Sequence, residues 1–333
     1  MTLLLSVVGQ IQGVCSDSPA CGECESPCSC EPVCNGRGFI SADLLYWRAH
    51  QGGFVCGCMP EDTNNFIDSS GNVISTFRGH SKDLDFRWDP GFRLGTGYEF
   101  GDQSWDAAVY WTHFHTHAYN HHHHEFHKFR WKLDYDVIDV LLGYKFCAES
   151  FTFRPFIGIR TALIDQRVKA NSRMIEASAI DISSFSSSSS FSAESFINSS
   201  SSDFFLSEEH NKDRFRGVGP LIGIEADWKF GCGFSLYACA SVSTLYGHFN
   251  LRFDGFNTFL GGTHICYKKS RIDSCQISTD LMLGIRWQQC LCNNIQLTYQ
   301  FALEQHRYYD HNHLGGYGDL CLDGVSFSAG LSF

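Results

Sequence analysis

The chain has 333 residues, of which 15% are aromatic and only 18% are charged, and its formal net charge is -11. This negative balance, without any basic patch, argues against nucleic acid as a partner. The sequence contains no run of about 20 apolar residues, which excludes a helix that spans a membrane. Gly is frequent at 31 residues and Pro is scarce at 7, and no stretch resembles a linker between domains.

The amino terminus resembles a truncated signal peptide over residues 1–20. A short apolar core, Leu3 to Val8, precedes the small residues Ser18-Pro19-Ala20, although a positively charged leader is missing. We therefore expect export, and a short buried strand is the alternative for this segment. Residues 21–37 are interpreted as a cysteine-rich periplasmic leader, and residues 38–333 as one barrel domain.

The final eleven residues form the clearest strand pattern. Val325, Phe327, Ala329, Leu331 and Phe333 alternate with glycine, serine and other small residues, and the chain ends on the last phenylalanine. A period of two gives a strand with one apolar face. A closing strand that stops on an aromatic residue resembles the last strand of bacterial outer-membrane barrels. This similarity predicts the barrel-assembly machinery as a partner.

Nine earlier segments repeat the pattern, so that ten strands are predicted. The fourth changes the phase of its apolar residues near Val137 and Ile138, which predicts a bulge or a mixed face. The predicted strands are 38–49, 84–100, 103–115, 130–146, 151–167, 214–229, 233–250, 276–288, 294–307 and 323–333.

The connections alternate between short and long. Short turns follow strands two, four, six and eight, and the predicted long loops are 50–83, 116–129, 168–213, 251–275 and 308–322. Transmembrane barrels have short periplasmic turns and longer outside loops. We therefore predict an all-β fold, a transmembrane antiparallel up-and-down barrel of about 10 strands, with 8 to 14 as the open range. Its place would be the bacterial outer membrane, its partner the membrane lipid, and its tryptophans would mostly form girdles at the strand ends.

Strand parity places charges of both signs inside this barrel. They predict a hydrated lumen with weak ion selectivity, and inward glycines such as Gly95, Gly97, Gly223 and Gly324 favour some pore. Barrels of about eight strands fill their interior with side chains, so ten strands leave at most a narrow channel. The lumen-lining candidates are Arg93, Glu99, Asp106, Arg154, Arg160, Glu225, Asp227, Asp280, Arg286 and Glu304.

Several strand motifs resemble a known family. They are the stretch from Phe39 to Trp47, that from Asp89 to Tyr98, Leu142-Gly143-Tyr144, and Arg154 to Gly158. Together they are similar to the major outer membrane protein-like porin family of chlamydia-related bacteria and Legionella, over residues 38–333. The resemblance implies a porin for passive diffusion of ions or small hydrophilic solutes, in a disulfide-cross-linked envelope. The alternative is a structural or adhesion protein of the surface, with a closed barrel anchored by disulfides.

Sixteen cysteines need an explanation of their own. Exported chains use cysteine for cross-links, so disulfides are favoured over a zinc ribbon. Cysteine-rich envelope proteins are the partners that such bonds would join, while a homo-oligomer is left open. The disulfide candidates on the periplasmic side are Cys21, Cys24, Cys28, Cys30, Cys34, Cys147, Cys232, Cys290 and Cys292.

Histidines crowd the second outside loop. His121, His122, His123, His124 and His127 could bind Zn²⁺, Cu²⁺ or Ni²⁺, together with His311 and His313 from the last loop, or could change the loop at acidic pH. Low-complexity surface sequence is the alternative and is favoured, and no cofactor is expected.

Catalysis is not supported by the sequence. It contains no phosphate loop, nucleophile elbow or metal-binding helix motif. An outer-rim protease site could be formed by Asp134, Asp136, Asp139, His306 and Asp310, but their spacing supports no catalytic dyad or triad. Lumen lining is the simpler interpretation of Asp134, Asp136 and Asp139. A non-enzymatic protein is therefore predicted.

Overall fold

The computed structural model describes residues 36–53, 62–67, 73–78, 84–101, 104–119, 127–148, 150–176, 203–259, 262–291, 295–314 and 318–333. Within these residues no helix has the length and apolar character needed to cross a membrane. The strands are β1 (Arg37–Gln51), β2 (Asp62–Ile67), β3 (Val73–Arg78), β4 (Asp85–Phe86), β5 (Trp88–Glu99), β6 (Trp105–Tyr119), β7 (His127–Tyr144), β8 (Phe146–Cys147), β9 (Phe151–Glu176), β10 (Asp203–Gly231), β11 (Phe234–Phe259), β12 (Gly262–Cys290), β13 (Gln296–Tyr308) and β14 (Leu320–Ser332).

Ten of these strands form a closed antiparallel barrel in the order β1-β5-β6-β7-β9-β10-β11-β12-β13-β14. The ring closes because β14 pairs with β1, from Phe39 opposite Ser332 to Gln51 opposite Leu320. The short strands β4 and β8 extend the sheet beside β6 and β9, and β2 with β3 forms a separate hairpin. The ten-stranded barrel predicted from the sequence is confirmed.

Apolar side chains cover the outside of the barrel in a belt. On β10 the outward-facing Val218, Ile222, Ile224, Trp228 and Phe230 are each between 46% and 60% exposed. Water would make such a continuous apolar surface costly, whereas the hydrocarbon core of a bilayer accepts it. The segment 218–230 is therefore the membrane-spanning part of β10, and equivalent segments of the other nine strands complete the belt.

Aromatic residues mark both edges of this belt. Tyr46 and Trp88 stack with their ring centroids 5.5 Å apart at the outer edge. Trp105 and Tyr144 meet edge to face at 5.0 Å beside the short turns. These pairs form the girdles that the interfaces of a bilayer favour. Trp47 and Trp131 are instead 0% exposed inside the barrel.

The predicted bulge in β7 is absent. The pairing of β7 with β6 and with β9 runs in one register past Val137 and Ile138. Val137 points inward and is buried, and Ile138 points outward and is 42% exposed. Within the bilayer the outward-facing residues of β7 are apolar. Beyond the bilayer the apolar residues face inward instead, and they are Leu133, Tyr135 and Val137. The apolar residues of β7 therefore change from the outward to the inward face at the edge of the membrane, which explains the change of phase in the sequence.

The predicted long loops 168–213 and 251–275 are wrong wherever the structure describes them, because residues 168–176, 203–213, 251–259 and 262–275 are strand. The strands β9, β10, β11 and β12 contain 26, 29, 26 and 29 residues, and about 9–11 suffice to cross a bilayer. Residues 252–259 and 262–268 are thus the paired outer ends of β11 and β12. Outside the bilayer the outward positions carry charged residues, so the apolar alternation that identifies strands is lost.

The other long connections are shorter than predicted. The hairpin β2–β3 lies within 50–83, strands β6 and β7 extend into 116–129, and the last connection is reduced to 309–319. On the opposite side, Gly231, Cys232 and Gly233 form the turn between β10 and β11, all three at positive φ (114°, 52° and 79°). A Cβ on Gly233 would also collide with the carbonyl oxygen of Gln288. Glycine is therefore required at this turn.

Candidate functional site: the barrel interior

A cavity of about 440 Å³ occupies the half of the barrel nearer the short turns. Inward side chains of the barrel strands line it, from Gln288, Gln296 and Ser332 beside the turns to Trp47 and His306 at its far end. Nine of the ten predicted lumen residues line this cavity. The tenth, Glu304, contacts it through Arg93 and His306. The structure therefore brings the predicted set together, although a role in conduction stays a prediction.

The charged side chains in the part of the cavity nearer the short turns form close ion pairs. Arg154 donates from Nε to Asp106 Oδ2 at 2.7 Å and from Nη1 to Glu225 Oε1 at 2.9 Å. Arg286 donates from Nη1 to Asp227 Oδ2 at 2.7 Å. Because each guanidinium is held by carboxylates, no single sign of charge dominates this part of the wall.

A glycine makes room for the first of these pairs. A Cβ on Gly143 would overlap the guanidinium of Arg154, so the close approach of this side chain to the wall depends on glycine there. The other inward glycines are filled in the same way: the rings of Phe39, Phe156 and Trp47 lie against Gly97, Gly223 and Gly324. Inward glycine therefore accommodates neighbouring side chains, and the expectation that it leaves an open pore is not met at these positions.

A second network crosses the barrel at the far end of the cavity. Arg93 donates from Nη2 to Glu304 Oε2 at 2.7 Å and from Nη1 to Asp43 Oδ2 at 3.2 Å. His306 lies between Glu304 and Asp280, with its ring nitrogens 3.1 and 2.7 Å from their carboxylate oxygens. This network joins side chains from β1, β5, β12 and β13 across the lumen.

Arg160 continues the network toward β9. It donates from Nη1 to Asp280 Oδ2 at 2.6 Å and from Nε to Asp139 Oδ1 at 2.7 Å. Asp43 and His306 are missing from the predicted lumen-lining candidates, and Asp139 appears only in the interpretation of Asp134, Asp136 and Asp139 as lumen lining. Strand parity places all three on the inward face and could have identified them, because each lies an even number of residues from a buried inward neighbour.

An apolar plug fills the barrel beyond this network. Among its members, Trp47, Phe114, Trp131, Leu133 and Phe249 are 0% exposed. The remaining members include further buried residues of the same cluster, among them Leu45, Ala118, Tyr135, Ile164, Phe215, Leu245 and Tyr308. A water-filled path through this layer would expose its side chains, so the described residues leave no such path.

Several polar atoms inside the plug are satisfied by one another, whereas Nε1 of Trp47 and both carboxylate oxygens of Asp213 have no hydrogen-bond partner. Trp131 donates from Nε1 to Gln166 Oε1 at 3.0 Å, and Gln166 donates in turn to Gln51 Oε1 at 3.0 Å. The hydroxyl groups of Tyr135 and Tyr308 are 2.9 Å apart. Paired in this way, buried polar groups hold the facing strands in one arrangement instead of destabilising the core.

The described parts of the last outer connection, 309–314 and 318–319, contact the plug. Asn312 donates from Nδ2 to the carbonyl oxygen of Gly52 at 2.7 Å, and Nδ1 of His311 lies 3.2 Å from Gln276 Oε1. The rings of Phe215 and Phe249 lie 5.5 and 5.2 Å from that of His311. Burial among these groups lowers the pKa of His311 to about 3.

Only part of the predicted histidine site lies within the described residues. His121 to His124 lie outside the described residues, and the side chain of His127 is not among those described. His311 is buried against Gln276, Phe215 and Phe249 of the plug. Among the residues that the structure describes, no group of three or more His, Cys, Asp or Glu side chains could hold a metal ion.

The cysteine candidates that the structure describes lie beside the short turns. Cys147 and Cys290 are disulfide-bonded, and Cys232 lies exposed in the turn before β11. Cross-linking by the other candidates stays a prediction, since Cys292 and the five leader cysteines lie outside the described part of the chain. Cys239 faces the cavity.

The protease constellation does not assemble. Asp134 and Asp136 point outward and pair with His115 and His113 at 2.5 and 2.8 Å, so their interpretation as lumen lining is wrong. Asp139 and His306 point inward and are bound in the central network. Asp310 lies in the last outer connection, so these residues do not face one common site.

Solved structures similar to this chain are outer-membrane barrels. They include the Escherichia coli outer membrane protease OmpT (13% identity, 90% of this chain, 96% of that chain, TM-score 0.37). A Pseudomonas aeruginosa FadL homologue matches at 8% identity, 90% of each chain and TM-score 0.30. Ail of Yersinia pestis matches at 9%, 90% and 99%, with TM-score 0.28. Similarities this low carry no information on what the present chain does.

No curated protein matches the chain. Residues 32–324 do match the family of the Legionella pneumophila major outer membrane protein precursor. The match covers most of the barrel and confirms the resemblance found in the strand motifs and the expected location in the bacterial outer membrane. The chain belongs to this family of outer-membrane proteins.

Proposed function

We propose that this protein is a closed outer-membrane barrel that acts as a structural and adhesion protein of the cell surface. The apolar plug carries the proposal, because its largest side chains are inaccessible to water. Outside the membrane, β9 to β12 continue for many residues beyond their apolar segments and display a paired sheet to the surroundings. No enzymatic activity is part of this proposal.

The cysteines support a role of disulfides on the opposite side. Cys147 and Cys290 are disulfide-bonded within this chain and lie at strand ends beside the short turns, so their bonds brace the barrel, while the leader cysteines, Cys21 to Cys34, would reach cysteine-rich envelope proteins. Non-reducing electrophoresis of whole envelopes tests this part. We expect the protein in high-mass bands that collapse to the monomer on reduction, and a monomer in both lanes would contradict anchoring.

Passive diffusion of ions or small solutes is the second candidate. The specific observation in its favour is the cavity of about 440 Å³, whose wall carries charged groups of both signs. Such a lumen would conduct with weak selectivity if the plug opened. The resemblance to a porin family supports the same function.

Single-channel conductance of the refolded protein in a planar bilayer separates the two candidates. We expect no discrete steps, with or without thiol reductant, from protein whose folding is shown by heat-modifiable electrophoretic mobility. Removal of the plug by Trp47→Ala, Phe114→Ala and Phe249→Ala together should produce conductance.

A matched control truncates three outward aromatic residues, Tyr46, Trp111 and Tyr246, to alanine. This variant should stay silent, since it changes the lipid-facing surface alone. Discrete, salt-dependent steps from the unmodified protein would establish the porin and overturn the closed barrel.

A further inference from the structure

Five basic side chains form one continuous row across the outer wall of the barrel. Lys132 pairs with Arg167, Arg167 with Lys212, Lys212 with Arg252, and Arg252 with Lys269. The row therefore crosses the adjacent strands β7, β9, β10, β11 and β12 without a gap. Each member alternates along its strand with buried or inward positions, so the row faces outward.

Like charges directly opposite each other destabilise a sheet. Three carboxylates offset part of the repulsion: Asp165 Oδ2 lies 3.2 Å from Nζ of Lys212 and 3.5 Å from Nη2 of Arg167. Asp134 pairs with Arg167 at 3.4 Å, and Asp254 pairs with Arg252 at 2.7 Å. Lys132 and Lys269 form no ion pair with any described residue. Further cations border the row, namely Arg130, Lys169, Arg214 and Arg271. In a chain of net charge -11, such a concentration favours an anionic partner.

The height of the row identifies the layer that it meets. Lys132, Lys212 and Arg252 each lie six residues beyond an outward apolar residue of the belt, respectively Ile138, Val218 and Tyr246. Six residues span about 20 Å along a strand, which is about 15 Å above the hydrocarbon core at the usual strand tilt. The headgroup layer of a phospholipid bilayer is only about 5–8 Å thick on each side.

We propose that this row binds the phosphorylated sugars of the glycolipid that forms the outer leaflet, lipopolysaccharide. The row continues upward from the lipid-facing belt, so a glycolipid packed against Ile138 and Val218 presents its inner sugars to Lys132 and Lys212. Phosphate groups on those sugars accept hydrogen bonds from arginine and lysine. The bound glycolipid relieves the repulsion within the row and fixes the lipid at this side of the barrel.

Binding of purified lipopolysaccharide to the refolded full-length chain in detergent tests the proposal. The variant Arg167→Gln with Lys212→Gln removes the centre of the row. We expect its affinity to fall at least about tenfold, and the affinity of the unmodified protein to fall as salt is raised. Lipopolysaccharide treated with phosphatase should bind the unmodified protein as weakly as the intact glycolipid binds the variant.

The matched control is Arg48→Gln with Arg307→Gln, two outward cations on β1 and β13, away from the row. It should bind within about twofold of the unmodified protein, and heat-modifiable mobility shows that each variant is folded. Equal affinity of the row variant and the unmodified protein would overturn the proposal. So would tighter, row-dependent binding of heparin than of lipopolysaccharide, because the row would then recognise a soluble polyanion.

Discussion

Asp213 is the least satisfied charged residue inside the upper barrel. Its side chain is buried on β10, five residues beyond the membrane-spanning segment, and neither carboxylate oxygen has a hydrogen-bond partner. Burial, with a smaller contribution from Asp165, raises the pKa of Asp213 to about 8. Between pH 4 and pH 8 the unfolded chain has lost this proton and the folded chain keeps it, so stability falls as pH rises.

We therefore expect Asp213→Asn to stabilise the protein. At pH 7 the gain should be about 2–4 kcal/mol, since each pKa unit corresponds to about 1.4 kcal/mol and the amide is itself costly to bury. Urea unfolding followed by tryptophan fluorescence measures it. Asp134→Asn, at an exposed position, is the control and should change stability little, and parallel pH profiles of Asp213→Asn and the unmodified protein would contradict the account.

His311 has the opposite effect to Asp213 on the pH dependence of stability. Its pKa of about 3 lies below the usual 6.5, so the unfolded chain binds a proton that the folded plug excludes. Stability is complete above pH 6.5 and falls by about 1.4 kcal/mol for each pH unit below it. We expect His311→Gln, which can keep a contact with Gln276, to flatten the profile between pH 4 and pH 6.5. An unchanged acid limb in urea titrations would show that His311 is not the group involved.

At the scale of the strand, β7 changes its apolar face without changing its register. Lys132 and Leu133 are neighbours beyond the membrane, one outward and one fully buried in the plug. Leu133→Asn should lower the free energy of unfolding by about 3–5 kcal/mol, because it removes an apolar side chain and buries an amide. Lys132→Asn should stay within about 0.5 kcal/mol. If both variants lost a comparable free energy of unfolding in urea, Leu133 would not be the inward residue, and β7 would contain the bulge predicted from the sequence.

The same inversion explains what the sequence predicts well and what it does not. Within the bilayer, parity identifies the strands, the short turns and inward charges such as Arg154 and Glu225. Beyond it the rule reverses, so the outer halves of β9 to β12 resemble loops. The partners in the central network are also hidden, because Arg93 and Glu304 are 211 residues apart and meet only through the closure of the ring.

At the scale of the molecule, the barrel consists of two zones with opposite organisation. The membrane zone is apolar outside and polar inside, and the outer zone is polar outside and apolar inside, like a soluble domain built on the same strands. The outer zone therefore has a hydrophobic core of its own, which accounts for the length of the strands beyond the lipid.

The seven tryptophans test this division directly. Trp228 faces the lipid and is 57% exposed, whereas Trp131 is fully buried in the plug. In proteins that keep only one tryptophan and carry phenylalanine at the other six positions, brominated lipid should quench Trp228 strongly and leave Trp131 unquenched. Aqueous acrylamide should also fail to quench Trp131, because neither lipid nor water reaches this side chain. Strong acrylamide quenching of Trp131 in folded protein would mean that water enters the outer zone, and the barrel would then be open along its length.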